Sequence, residues 1–72
     1  MWIEIKDVLI DLDYVSHIEL DFMNGILYII IHFKNKECQE IGYLNEDERD
    51  LDLKELKRNI WDINLMRKTN DR

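Results

Sequence analysis

The dipeptide Asn24-Gly25, set between two runs of apolar residues, leaves this chain little choice of local fold. A two-residue type I′ turn needs positive φ at both central positions, which Asn tolerates and Gly adopts freely. Met23 then faces Ile26, and the pairs Phe22 with Leu27, Leu20 with Ile29 and Ile18 with Ile31 follow. Each inward residue of one strand meets an inward residue of the next. A slip by one residue would turn these side chains into water, so turn chemistry and hydrophobic pattern specify one register.

The flanking segments extend the same logic. From Met1 to Leu12 the apolar residues Ile3, Ile5, Val8, Ile10 and Leu12 alternate, and a break at Lys6-Asp7 closes a hairpin with Ile3 facing Ile10 and Ile5 facing Val8. Asp13 to Ser16 connects this hairpin to the strand His17 to Phe22. The strand Ile26 to Phe33 is apolar on both parities except at Tyr28 and His32, the pattern of a central strand covered on both faces. A three-residue loop, Lys34-Asn35-Lys36, leads to a last strand, Glu37 to Leu44, and sets Ile41 opposite Ile29 and Tyr43 opposite Leu27. A four-residue loop would bring Glu40 to the inner face instead.

A helix is predicted after an acidic connector, Asn45 to Asp50. Asp52 at the N-cap with Glu55 three residues on makes a capping box, and Leu51 with Leu56 makes a hydrophobic staple. Asn45 with Glu48 offers a competing, earlier cap. Leu53, Leu56, Ile60 and Ile63 recur at helical spacing as one apolar stripe, with Trp61 and Leu65 beside it. The expected fold is therefore α+β: a five-stranded antiparallel β-meander with one C-terminal α-helix packed on one face. Residues 1–68 form one domain and Thr69 to Arg72 fray. A chain of 72 residues buries only about 60% of its unfolded surface, so burial against a partner chain would add stability.

On this register the outer face presents one row of Trp2, Asp11, Glu19, Ile30 and Glu40, and a second of Glu4, Leu9, Asp21, Tyr28 and Gly42. Aromatic anchors among carboxylates are the makeup of an interface, and Trp2, Glu4, Asp11, Glu19, Asp21, Tyr28, Ile30 and Glu40 are the candidate partner-binding residues. A third row brings His17 opposite His32, and His32 opposite Cys38. Two imidazoles and a thiolate are zinc-ligand types, but no fourth ligand and no short-spaced pair accompanies them, so neither metal nor other cofactor is assigned. The acidic stretch Asn45 to Asp52 lacks the central Gly of an EF-hand loop. With one Ser, one Thr and one Cys there is no hydroxyl triad or activated thiol, and no catalytic residue is assigned; the chain is not expected to be an enzyme.

Sixteen Asp and Glu against ten Lys and Arg give a pI near 4.7, the wrong sign for direct nucleic-acid or anionic-membrane binding. No run of about 20 apolar residues is present. Absence of a secretory signal and a single cysteine fit the cytoplasm. Ala and Pro are missing and eleven residues are Ile, a usage that follows AT-rich codons.

Small size, acidic charge, AT-rich usage and a sheet with one helix, Met1 to Leu12 and Leu51 to Met66, resemble the small acidic proteins of phages and mobile elements of low-GC bacteria, including anti-CRISPR inhibitors of host defence. The resemblance is one of style and carries no motif. It implies a non-enzymatic protein-binding module in the bacterial cytoplasm, an inhibitor meeting a basic surface of a host protein by steric block or charge mimicry. The alternative is a homo-oligomeric structural or accessory subunit, a homodimer in its simplest form.

Overall fold

The computed structural model describes residues 1–60 in full and the backbone of 64–67. Strands β1 (Trp2–Ile5) and β2 (Val8–Asp11) form the first hairpin, whose turn residues Lys6 and Asp7 both take positive φ. It pairs Ile3 with Ile10 and Ile5 with Val8. Strands β3 (Val15–Met23) and β4 (Ile26–Phe33) meet at Asn24-Gly25, with φ of 53° and 79°, in the register expected: Phe22 with Leu27, Leu20 with Ile29, Ile18 with Ile31. Strand β5 (Cys38–Tyr43) follows a three-residue loop closed by Phe33 N–H to the Glu37 carbonyl (2.8 Å), with Lys36 at φ 75°. It sets Ile41 on Ile29 and Tyr43 on Leu27.

The strands do not make one meander. A 3₁₀ turn, Leu12–Tyr14, breaks the chain after β2; the Asp11 carboxylate accepts the Asp13 N–H, and Leu12 is buried. The hairpin therefore stands as its own two-stranded sheet, and Asp11 is not paired with Glu19. The second sheet has the order β5-β4-β3-β6, in which β6 (Asn64–Arg67) runs parallel to β3.

The helix α1 (Glu46–Asn59) begins a turn or more before the Asp52 capping box. The Asn45 side-chain oxygen accepts the N–H groups of Asp47 (2.7 Å) and Glu48 (3.2 Å), and Glu46, Asp47 and Glu48 place negative charge at the positive end of the helix dipole. Asp52 is a helix-interior residue, and Leu51 is exposed rather than a staple. The chain leaves the helix after Asn59 and returns as β6, so Leu65 lies on a strand; Trp61, Ile63 and the frayed end expected at Thr69 to Arg72 lie outside the described residues.

One core joins hairpin, large sheet and helix. Ile5, Ile10 and Leu12 from the first hairpin side, Ile18, Leu20, Ile29, Ile31, Ile41 and Tyr43 from the large sheet, and Leu53 and Leu56 from α1 pack together. The inner parity of the sheet thus faces helix and hairpin, as the alternation requires. Two positions depart from expectation. Ile30, assigned to the outer face, is buried: it sits mid-strand in β4, flanked along the strand by Tyr28 and His32 and across it by Glu19 and Glu40. Phe22, assigned to the core, is 63% exposed, because it stands at the turn end of β3 beside the exposed Met23.

Candidate functional site: an acid-rimmed aromatic face

The outer parity of the first hairpin carries Trp2 opposite Asp11 and Glu4 opposite Leu9. Trp2 and Leu9, diagonal neighbours, are 63% and 66% exposed. A large indole and a leucine left in water side by side are more than scattered surface apolarity. The 3₁₀ turn then brings Tyr14 alongside the end of β4: its carbonyl accepts the Lys34 N–H at 2.9 Å, and its ring lies against Phe33 with centroids 6.1 Å apart and planes 26° apart. Trp2, Leu9, Tyr14 and Phe33 line an open concavity of about 210 Å³, completed by Asp11, Asn35 and Glu37.

Charge on this face is chiefly negative. Among the described residues Glu4 and Glu37 have no ion-pair partner. The Met1 amino group is already engaged, donating to Asp13 at 2.9 Å, and that contact holds the amine above and the Asp13 carboxyl below their ordinary pKa values. Asn35 spends its side-chain oxygen on the Glu37 N–H, fixing the loop that carries Glu37.

The candidate residues fall on two surfaces. Trp2, Glu4 and Asp11 belong to the hairpin face, whereas Glu19, Asp21, Tyr28, Ile30 and Glu40 belong to the outer face of the large sheet. There Glu19 is largely covered and lies 2.8 Å from His32 Nε2, the Asp21 carboxylate accepts the Phe22 N–H, and Ile30 is buried. Tyr28 lays its ring over Gly42, where a Cβ would come within 3.4 Å of it. Glu40 is exposed. Tyr14, Phe33 and Glu37 are the residues that sequence reasoning missed; they join Trp2 only because the chain folds back at Leu12–Tyr14.

The histidine row forms as expected, with His17 opposite His32 and His32 opposite Cys38. The two imidazoles stack at 4.2 Å with planes 9° apart, His32 Nε2 is taken up by Glu19, and His17 Nδ1 lies 3.2 Å from Ser16 Oγ. Among the described residues no group of three His, Cys, Asp or Glu side chains converges on a point where a cation would sit.

At the other end of the hairpin, Lys6 Nζ donates to the Gly42 carbonyl at 2.8 Å and lies 4.5 Å above the Tyr43 ring. Tyr43 in turn donates its hydroxyl to Asp52 at 2.7 Å. Burial and the Asp52 carboxylate push the Tyr43 hydroxyl far above its ordinary pKa. This chain of contacts ties turn, edge strand and helix together, and so fixes the hairpin that displays Trp2. Among the described residues no helix is long and apolar enough to cross a membrane. Set against known protein families, curated proteins and solved structures, the sequence and fold match none.

Proposed function

We propose that this chain is a non-enzymatic binding module that docks onto a basic surface of a host protein through the outer face of its first hairpin. The observation that carries the reading is the exposure of Trp2 and Leu9 beside the Tyr14–Phe33 pair, inside a rim of Glu4, Asp11 and Glu37. Rings supply contact area at low entropic cost, and carboxylates steer a cationic partner and fix its orientation. A small acidic body of this kind inhibits by covering a functional surface or by standing in for a phosphate backbone. Its net charge of -6 and AT-rich residue usage support a phage-encoded inhibitor of a nucleic-acid or defence protein in a bacterial cytoplasm.

The test is capture of partners from a low-GC host lysate at low and high salt, with the wild type and with Glu4→Lys/Asp11→Lys/Glu37→Lys. A basic protein retained at low salt, released at high salt and lost in the triple variant is the expected result, since exposed charges are screened over about 8–10 Å near physiological salt. Salt-insensitive capture that the triple variant retains would exclude the reading.

A second reading, a self-associating accessory subunit, is favoured by Leu44 and Leu51, which are 85% and 66% exposed away from the acidic rim. Sedimentation decides it: a monomer at micromolar concentration rules the subunit out.

A further inference from the structure

We infer that the concavity between the first hairpin and the β4–β5 loop receives an arginine side chain of the partner. The inference rests on the reading above and makes its chemistry specific. Three aromatic side chains, Trp2, Tyr14 and Phe33, line one open cleft, and Asp11 and Glu37 line it with them. An aromatic face attracts a cation through its quadrupole, and a flat, weakly hydrated guanidinium stacks on it with its N–H groups still free at the edge. Those N–H groups suit carboxylates, which take them in pairs.

Each other class of ligand meets an obstacle in this cleft. A phosphate or an anionic lipid would be repelled by Glu37 and by Asp11, whose charge the Met1 ammonium 3.9 Å away offsets only in part. A purely apolar side chain would bury Asp11, whose Oδ1 is already committed to the Asp13 N–H, without satisfying its remaining oxygen. An ammonium keeps its water more tightly and stacks less well than a guanidinium. The cleft is also held in shape before any ligand arrives: Asp11 fixes the 3₁₀ turn, Lys34 N–H holds the Tyr14 carbonyl, and Asn35 fixes Glu37. Lys34 and Lys36 flank Asn35 in the loop, and Lys34 lies in the field of Asp13, so the nearby positive charge is partly offset.

The probes are three capped tripeptides, acetyl-Gly-X-Gly-amide with X arginine, lysine or citrulline, titrated into the isotopically labelled protein and followed by the Trp2 indole N–H and the Leu9, Tyr14 and Phe33 amides. Arginine should bind about two- to fivefold more tightly than lysine, the size of an exposed cation–π contact, and citrulline should show no saturable shift. Glu37→Gln, at a side chain with no partner among the described residues, should reduce the arginine advantage while leaving the rest of the spectrum in place. Equal response to arginine and lysine, shifts centred elsewhere, or no response at Trp2 overturns the inference. If the captured host complex nonetheless covers Trp2 and Leu9, the arginine pocket fails alone; if it covers another surface, the docking reading fails with it.

Discussion

Tyr43 links hairpin, sheet and helix, and its ionisation gives a direct handle on that linkage. The residue is 1% exposed, donates to Asp52 at 2.7 Å, and sits under Lys6 Nζ at 4.5 Å. Burial is the larger cause of its raised pKa, and the hydrogen bond to Asp52 and the charges of Asp52 and Glu48 add to it. A folded-state pKa above the unfolded value means that the native state holds its proton longer. The corresponding stability is complete below about pH 10 and declines as pH rises toward the folded pKa, by about 1.4 kcal/mol per pH unit. Tyr43→Phe should remove this alkaline decline. Near neutral pH it should cost about 1.5–3 kcal/mol, the range for a hydrogen bond to a charged group, because Asp52 is left half-buried without its donor. Urea unfolding of both proteins across neutral and alkaline pH, with tyrosinate absorbance recorded in parallel, reads both effects. Tyr43 should ionise only as the chain unfolds. Ionisation of Tyr43 in a chain that stays folded, or an alkaline decline unchanged in Tyr43→Phe, would refute the reasoning.

Four further substitutions probe the supports of the fold. Leu56→Ala, at a fully buried helix position packed into the shared core, should cost about 2–5 kcal/mol in urea unfolding. Asn45→Ala removes the acceptor of two helix N–H groups and should cost about 0.5–2 kcal/mol, with helix content lost first at the Glu46 end by amide exchange. Lys36→Gly should raise stability by about 0.5–1 kcal/mol by relieving a positive φ, whereas Lys6→Gly, at a residue of similar φ, should lower it through loss of the bond to Gly42 and the contact with Tyr43.

Local pairing was legible in the sequence because each hairpin carries its own specification. Asn24-Gly25 fixes the turn and Ile18, Leu20, Ile29 and Ile31 fix the face, and neither depends on the rest of the chain. The break between β2 and β3 was hidden by the same alternation. Leu12 continues the parity of Val8 and Ile10 and is buried whether the strand runs on or the chain folds over. What decides is the Asp11 side chain on the Asp13 N–H, a local hydrogen bond with no hydrophobic signature. The helix start was misplaced because Arg49 occupies the apolar stripe one turn before Leu53, buried and paired with Asp50 at 3.0 Å. Apolar periodicity passes over an arginine that packs its stem and pairs its head. For the site, Trp2 and Leu9 stood out by their off-core parity, but Tyr14 read as connector and Phe33 as the end of a central strand, and only the fold-back brings their rings beside the indole.

The proposed function turns on which surface meets a partner. Hydroxyl-radical footprinting of the chain, free and in the salt-sensitive complex drawn from host lysate, answers this at the level of single side chains. Protection concentrated on Trp2, Leu9, Tyr14 and Phe33, with Leu44 and Leu51 as reactive as before, is the predicted pattern. Protection of Leu44 and Leu51 with Trp2 and Leu9 still open to attack would contradict it.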